Sequence, residues 1–279
     1  MMTAVVLATA CALVYGTADF FGGLATRRSQ VMAVVVLSQL AGLALVAGLL
    51  PFLPGAPTAE GLAWGMAAGV SGGVALVLFY RALATGVMSV VAPVTATTSA
   101  ALPVLFGLAA GERPEPMALG GVALALLAVL LVSRDSSPAA AVRDRGATLS
   151  ALAAGAGFGG FFVLLSQAPE GGGMWPLFGA RLASVLLIAA LAVATGRSLR
   201  PGSGALGIIV VAGVLDMVAN VLFVLAQERG MLTLVGVLVS LYPASTLLLA
   251  RYVLKERLNA VQATGIGVTL AAVALIAAS

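Results

Sequence analysis

Three ionisable residues lie inside long apolar stretches of this sequence and are the first candidates for chemistry: Asp19, Arg181 and Asp216. An ionisable side chain in hydrocarbon costs about 2.5–3.5 kcal/mol on insertion scales, so each one is expected to have a function or a partner. Arg181 could hold a carboxylate, and an aspartate could hold an amine or exchange a proton. In the structural alternative, Arg181 pairs with one aspartate and only stabilises helix packing. The sequence leaves open which of the two aspartates would do so.

Polar residues at helical spacing extend this set of candidates. Four residues of one apolar stretch follow one another at intervals of four, three and four: Asp216, Asn220, Phe223 and Gln227. This spacing places them on one face of a helix, and Tyr15 shares a face with Asp19 in the same way. We expect both faces to line a central cavity rather than to meet lipid, because a polar face in hydrocarbon is costly.

Hydroxyl side chains in two further apolar stretches are also candidates. Prolines in the same stretches remove a backbone donor and free a carbonyl, which a hydroxyl or a ligand can use. In the alternative use, each hydroxyl bonds to its own helical turn or joins two helices. With these hydroxyls, the predicted solute-binding residues are Tyr15, Asp19, Thr95, Thr98, Ser99, Arg181, Asp216, Asn220, Gln227, Ser240 and Tyr242.

The composition excludes several classes of protein. Charged residues are 9% of the 279 and apolar residues 61%, whereas an ordinary soluble domain has about 25% charged residues. The class is therefore a polytopic membrane protein. No histidine is present and Cys11 is the single cysteine, which excludes imidazole catalysis, imidazole metal ligation and an intramolecular disulfide. We expect no cofactor, no metal and no nucleic-acid partner, and the net charge of +4 fits contact with anionic lipid head groups.

The apolar stretches have the length that a bilayer requires. A helix crosses the roughly 30 Å hydrocarbon core in about 20 residues. By this measure the sequence predicts an all-α membrane protein with ten spans, near 3–25, 31–50, 61–82, 87–110, 117–133, 147–167, 174–195, 205–227, 231–252 and 260–278. Residues 134–146 form a polar linker between a first repeat, 1–133, and a second repeat, 147–279.

The two halves of the chain repeat each other. Residues 79–122 align without gaps on residues 223–266, and the identical pairs include Phe79 with Phe223, Gly86 with Gly230, Glu112 with Glu256 and Arg113 with Arg257. Five spans is an odd number, so two tandem copies enter the membrane from opposite sides and form an inverted repeat. Such a repeat supplies two conformations of similar energy, which is the physical basis of alternating access.

The repeat is not symmetric in its chemistry. The first-half counterparts of the polar face are uncharged: Gly72, Leu76, Phe79 and Leu83. A solute would therefore be held asymmetrically.

We assign structural roles to two other groups of residues. Glycines of the third span, among them Gly65 and Gly69, are expected to allow close helix packing. Glu112 and Glu256 are expected to cap helices or form salt bridges at the membrane interface.

Short motifs at these positions resemble a known family. Gly111-Glu112-Arg113 and Lys255-Glu256-Arg257-Leu258 are similar to the G-E-R-(L) connector that follows the fourth and ninth spans of EamA-type exporters, which belong to the drug/metabolite transporter superfamily. Tyr15-Gly16-Thr17 resembles the W-G-S element of their first span, and Ala180-Arg181-Leu182 the A-R-F element of their seventh. The first half has Ser38-Gln39-Leu40 at the latter position and lacks the arginine. The resemblance covers essentially the whole chain.

The resemblance implies a function. It implies a multi-pass secondary carrier of the cytoplasmic (inner) membrane, not an enzyme, which exports amino acids or other small metabolites by alternating access. Proton coupling and a homodimer are further candidates. The alternatives are a flippase for lipid carriers, a membrane-embedded enzyme, and a structural subunit without transport. A flippase would need a lateral opening between spans, and a structural subunit predicts that neighbouring side chains fill the polar face of the eighth span.

Two indications of membrane orientation disagree. Ten Lys and Arg residues lie in or beside the odd-numbered loops, whereas only Arg113 and Arg229 lie beside even-numbered ones. The positive-inside rule then places the odd loops in the cytoplasm and both termini outside. The family resemblance implies the opposite orientation, with both termini in the cytoplasm.

Overall fold

The computed structural model describes residues 2–85, 88–132, 145–253 and 260–278, and this part of the chain is helical, without strands. The helices are α1 Met2–Thr26, α2 Val31–Leu49, α3 Ala59–Thr85, α4 Met88–Ala109, α5 Pro116–Val132, α6 Arg145–Ser166, α7 Trp175–Ala194, α8 Leu206–Gln227, α9 Leu232–Val239, α10 Tyr242–Val253 and α11 Ala260–Ala278. A 3-10 turn, Leu50–Phe52, follows α2. The predicted break at Gly86, nearly all of the polar linker and the second Glu-Arg connector lie outside the described residues.

The described helices have the length and composition of membrane spans. Eight segments of at least 18 residues are long and apolar enough to cross a bilayer, and two shorter apolar helices, Val94–Ala109 and Pro116–Leu131, add to them. The all-α prediction is thereby confirmed for the described part of the chain. The number of membrane crossings stays a prediction, because the two shorter helices fall below the usual spanning length.

The ninth predicted span is not one continuous helix. It consists of α9 and α10, with an interruption at Ser240 and Leu241. Pro243 has no amide hydrogen, so the carbonyl of Val239 cannot accept its helical bond. The amide of Ala244 donates instead to the carbonyl of Leu241 at 3.0 Å, and the hydroxyl of Ser240 donates to the carbonyl of Val237 at 2.7 Å. The sequence showed the proline but did not predict that the helix would break there.

Two pairs of helices that occupy equivalent positions in the two repeats, α5 with α11 and α4 with α9, pack against each other in antiparallel directions. Gly121, near the start of α5, lies against Ile276, near the end of α11. Glu112, just after the end of α4, accepts hydrogen bonds from the amides of Leu232 and Thr233 at the start of α9, at 2.7 and 2.8 Å. Glu112 is thus a helix cap, as predicted, and the helix that it caps belongs to the other repeat.

Glycines let the backbones of neighbouring helices meet, as predicted for α3. A methyl group added at Gly69 would overlap the carbonyl of Ala180 on α7. The repeat-related contact is the same, since a methyl group at Gly213 on α8 would overlap the carbonyl of Ser38 on α2. These close approaches fix α7 against α3 and α2 against α8, and three of these helices, α2, α7 and α8, carry most of the charged and amide groups described below.

Two pairs of loops mark the two ends of the helical bundle. At one end, the amide of Ala56 donates to the carbonyl of Gly171 at 3.2 Å. At the other end, the amide of Gly202 donates to the hydroxyl of Ser29 at 2.8 Å. Helix α2 begins beside the second contact and ends beside the first. We call these the Ala56 end and the Ser29 end.

Candidate functional site

A cavity of about 80 Å³ lies between the two halves of the chain. Residues from nine helices line it, and α5 and α11 are the two described helices that contribute none. Its polar lining consists of Tyr15, Asp19, Gln39, Ser99, Arg181, Ser184, Asp216, Asn220, Ser240 and Tyr242. We call it the central cavity. It is small enough to hold only a few water molecules, since a single water needs about 10–15 Å³ on this measure.

The structure brings eight of the eleven predicted solute-binding residues to the central cavity. The other three lie elsewhere. The hydroxyl of Thr95 donates to the carbonyl of Ala151 on α6 at 3.1 Å, and the hydroxyl of Thr98 donates to Val94 in its own helix at 2.7 Å. These are the two structural uses that the sequence left open. Gln227 lines a second cavity.

The guanidinium group of Arg181 is bound from three sides. It forms a salt bridge with Asp216, which answers which aspartate is its partner. It also donates to the side-chain oxygen of Gln39 and, through Nε, to the sulfur of Met217 at 3.4 Å. The hydroxyl of Ser184 donates to the same oxygen of Gln39 at 3.1 Å. This network joins α2, α7 and α8 in the interior of the bundle.

In the central cavity, Asp19 and Asn220 each carry an acceptor oxygen to which no described residue donates. Asp19 is half-buried, and it makes no hydrogen bond or ion pair with any residue that the structure describes. Asn220 is 2% exposed, and its amide nitrogen donates to the carbonyl of Asp216 at 2.7 Å. The side-chain oxygen of Asn220 is buried without a hydrogen-bond partner. Since a buried unpaired acceptor is costly, these atoms are the natural contacts for a ligand that donates.

Sequence reasoning missed part of the site. Gln39 and Ser184 line the central cavity and were not among the predicted residues. A signal for Gln39 existed, because it occupies the position of Arg181 in the first repeat. Three phenylalanines of α6 were missed as well: Phe158, Phe161 and Phe162. Their types and spacing do not distinguish a cavity wall from an ordinary apolar core.

Repeat-related positions face each other across the central cavity. Asp216 and Asn220 line it from α8, and their first-half counterparts, Gly72 and Leu76, line it from α3. One wall is therefore polar and the other apolar, as the sequence predicted for this pair of helices. The central cavity therefore lies between repeat-related helices. Its charged and polar groups come mainly from the second repeat and from Asp19.

Comparison with known proteins identifies the family that has this architecture. The family model of the EamA-like transporter family matches residues 2–134 and 145–278, which is nearly the whole chain. The chain belongs to the EamA-like transporter family. It is therefore a multi-pass membrane transporter of the drug/metabolite type, as the motif resemblance implied. None of the curated proteins compared with it matches.

A solved structure shares the fold of this EamA-like transporter. Its title is "Crystal structure of protein", and the two chains superpose with a TM-score of 0.74 at 18% sequence identity. The match covers 98% of this chain and 96% of the other. At that identity the likeness concerns the fold alone.

In this EamA-like transporter, a second cavity of about 460 Å³ opens at the Ala56 end. Its lining includes Glu170, Gln227 and Glu228. Phe162 lines the central cavity, and its ring packs against that of Phe223 with centroids 4.4 Å apart. Along α8, Asn220 lines the central cavity, Phe223 is fully buried, and Gln227 lines the second cavity. Phe223 therefore lies along α8 between a residue of the central cavity and a residue of the second cavity.

Proposed function

We propose that this protein is a secondary transporter that moves a small metabolite, an amino acid or a similar solute, out across the cytoplasmic membrane by alternating access. One observation carries the proposal. The charged groups inside the apolar helices, Asp19, Arg181 and Asp216, all line one cavity between the two halves of the chain. Secondary transporters bind their solutes near the bilayer midplane, at the interface between structural repeats.

The proposed topology has ten spans in two inverted five-helix repeats. The antiparallel contacts between equivalent helices support it, because equivalent helices of an inverted repeat run in opposite directions across the membrane. The contacts of Gly121 with Ile276 and of Glu112 with Leu232 are of this kind. Ten spans require that α9 and α10 together cross the membrane once. A helix broken beside a cavity is tolerated in membrane proteins because the cavity or neighbouring groups satisfy the freed backbone.

Alternating access requires a barrier that can open on each side of the site. The Phe162–Phe223 pair is our candidate barrier towards the Ala56 end, where the second cavity would serve as the entrance. Tyr15 packs edge-on against Phe162, with ring centroids 6.2 Å apart. Movement of α6 against α8 would separate these rings and join the two cavities.

Proton coupling is the second part of the proposal. Asp19 is a carboxyl group inside α1, it lines the central cavity, and no described residue pairs with it. Asp216 is held by Arg181 and is less free to exchange a proton. We therefore assign proton exchange to Asp19 rather than to Asp216.

The structural-subunit alternative predicts a polar face of α8 that is filled by neighbouring side chains. Asp216 and Asn220 line a cavity of about 80 Å³, which favours transport. A homodimer stays a prediction, to be tested by the mass of the detergent-solubilised particle.

The proposal is tested by reconstitution into liposomes. Uptake of a panel of labelled amino acids and related amines is measured with and without a pH gradient. We expect saturable transport of at least one solute, stimulated by the gradient. Asp19→Asn should abolish the stimulation by the gradient, and Asp216→Asn should lower the transport rate. Wild-type rates in both variants would refute the binding and coupling roles, and the absence of any transport would refute the function.

A further inference from the structure

The charge balance of the central cavity distinguishes between classes of solute. Among the lining residues that the structure describes, Arg181 is the cation, and Asp19 and Asp216 are the anions. Arg181 is paired with Asp216, and its side chain is only 7% exposed. The guanidinium group therefore offers little surface to a solute, and its charge is already balanced. The carboxyl group of Asp19 has no cation as a partner among the described residues.

The second free group in the cavity is also an acceptor. A carbonyl oxygen can only accept, so the bond from Asn220 to the carbonyl of Asp216 must come from the amide nitrogen of Asn220. This bond fixes the orientation of the side-chain amide and leaves its oxygen as the atom without a partner. The residue is 2% exposed, so the unsatisfied oxygen is held in the interior rather than in open solvent.

Together these groups describe the ligand that they could bind. We infer that the transported solute is a primary amine in its ammonium form, without a free carboxylate, and that Asp19 and Asn220 accept hydrogen bonds from its nitrogen. This inference rests on the proposed function and narrows its solute class from amino acids and similar solutes to amines without a carboxylate. An ammonium group carries one positive charge and three N–H donors, which satisfies a carboxylate and an amide oxygen at once.

A free carboxylate on the solute would be unfavourable in this cavity. It would add a negative charge beside Asp19, and Arg181 has no uncompensated charge to balance it. The hydroxyl groups of Tyr15 and Tyr242 also line the cavity and could donate to a carboxylate. They are neutral, so they would leave its charge unbalanced, and burying an unpaired charge is costly.

The remaining walls fit the apolar body of an amine. Phe158, Phe161 and Phe162 contribute aromatic rings, and Leu76 contributes an aliphatic side chain. Aromatic faces also attract cations through their quadrupole. Once movement of α6 against α8 has joined the two cavities, an alkyl or aromatic amine would thus find its charged nitrogen matched by acceptors and its carbon skeleton matched by apolar side chains.

Calorimetric binding to the full-length protein in lipid nanodiscs tests the inference. The probes are three amines, each with the amino acid that differs from it only by a carboxylate: butylamine with norvaline, phenethylamine with phenylalanine, and tryptamine with tryptophan. We expect at least one amine to bind, and to bind about tenfold or more tightly than its amino acid, as is usual for a charge-assisted contact. The inference is overturned if no amine binds, or if each amino acid binds as tightly as its amine.

Variants identify the side chains that are responsible for amine binding. Asp19→Asn should weaken amine binding about tenfold or more, whereas Asp19→Glu, which keeps the charge, should retain the preference for the amine. Asn220→Leu, which introduces the residue found at the equivalent position Leu76, should also weaken it. Glu115→Gln makes the same charge change in an exposed loop and should leave binding unchanged.

If Asp19→Asn bound the amine with wild-type affinity, the assignment of Asp19 as the ammonium-binding residue would be overturned. Thermal unfolding of each variant establishes that it is folded. The two proposals fail differently. If the liposomes transport a solute but the matched amines have no advantage in binding, the solute class is wrong and the transport function stands.

Discussion

Arg181 on α7 donates a hydrogen bond to Gln39 on α2, and these two residues occupy the same position in the two repeats. The equivalent helices therefore meet at equivalent residues. A second arginine at this contact would place two guanidinium groups against each other in the interior of the bundle. Gln39 supplies an acceptor instead, which explains why the first repeat has no arginine at this position.

Gln39→Arg is therefore expected to destabilise the protein. The new guanidinium would face Arg181, and Asp216 is available to balance only one of them. We expect a loss of about 3–5 kcal/mol in the free energy of unfolding, the range typical of an uncompensated buried charge. Gln39→Met removes the acceptor without adding charge and should cost less. Thermal unfolding in detergent measures both, and equal stability of Gln39→Arg and wild type would contradict this explanation.

The Arg181–Asp216 salt bridge should behave as one unit. Arg181→Gln and Asp216→Asn each leave a buried charge unpaired and should each cost about 3–5 kcal/mol. The double variant should be clearly more stable than the sum of the two losses predicts, because no unpaired charge remains. The exposed pair of Arg229 and Glu228, 3.7 Å apart, is the control and should show almost no coupling. Additive losses at Arg181 and Asp216 would show that the two side chains do not interact.

Two glycines of α8 differ in what surrounds them. A methyl group at Gly213 would overlap the backbone of Ser38, whereas nothing lies within 4 Å of the corresponding point at Gly207. Gly213→Ala should separate α8 from α2 and lower the unfolding temperature by several degrees. Gly207→Ala should be neutral, or stabilising by up to about 1 kcal/mol through helix propensity. If the two variants unfolded at the same temperature, the close approach of α2 and α8 would be in doubt.

Because Glu112 caps α9, its removal is expected to destabilise the start of that helix. Glu112→Ala removes the acceptor for the amides of Leu232 and Thr233 and should cost about 0.5–2 kcal/mol in the free energy of unfolding. Hydrogen exchange at these two amides should accelerate. Glu115→Ala, in the same loop but exposed, is the matched control and should change neither quantity. Unchanged exchange in Glu112→Ala would mean that another group caps the helix.

Topology can be tested with single cysteines, since Cys11 is buried and its replacement by alanine leaves a cysteine-free protein. We expect cysteines at Ala56 and Glu170 to react with a membrane-impermeant thiol reagent from one side of the membrane. Cysteines at Gln30 and Ser203 should react from the other side. Labelling of Ala56→Cys and Gln30→Cys from the same side would rule out the proposed crossing of α2. The side on which Gln30→Cys is labelled also decides between the orientation from the positive-inside rule and the opposite orientation implied by the family resemblance.

Much of the architecture is readable from the sequence because a bilayer imposes simple requirements on it. Helices must be apolar over about 20 residues, so the spans were visible, and the repeat was visible because Phe79, Glu112 and Gly121 recur at a constant shift. The interruption at Ser240 was not predicted. A proline in a membrane helix can produce either a kink or a break, and the packing around it decides between them.

The candidate site likewise has features that the sequence determined and features that only the tertiary structure decided. The sequence by itself determined that Asp19, Arg181, Asp216 and Asn220 would need partners, because charged and amide groups in hydrocarbon are costly whatever the fold. Only the tertiary structure decided who those partners are: Arg181 is bound by Asp216 and by its own counterpart Gln39, whereas Asp19 is left without a partner among the described residues. Spacing along one helix specifies a face, but it carries no information on which faces of other helices meet it. That depends on the close approaches at Gly69 and Gly213, which set the distance and register between helices.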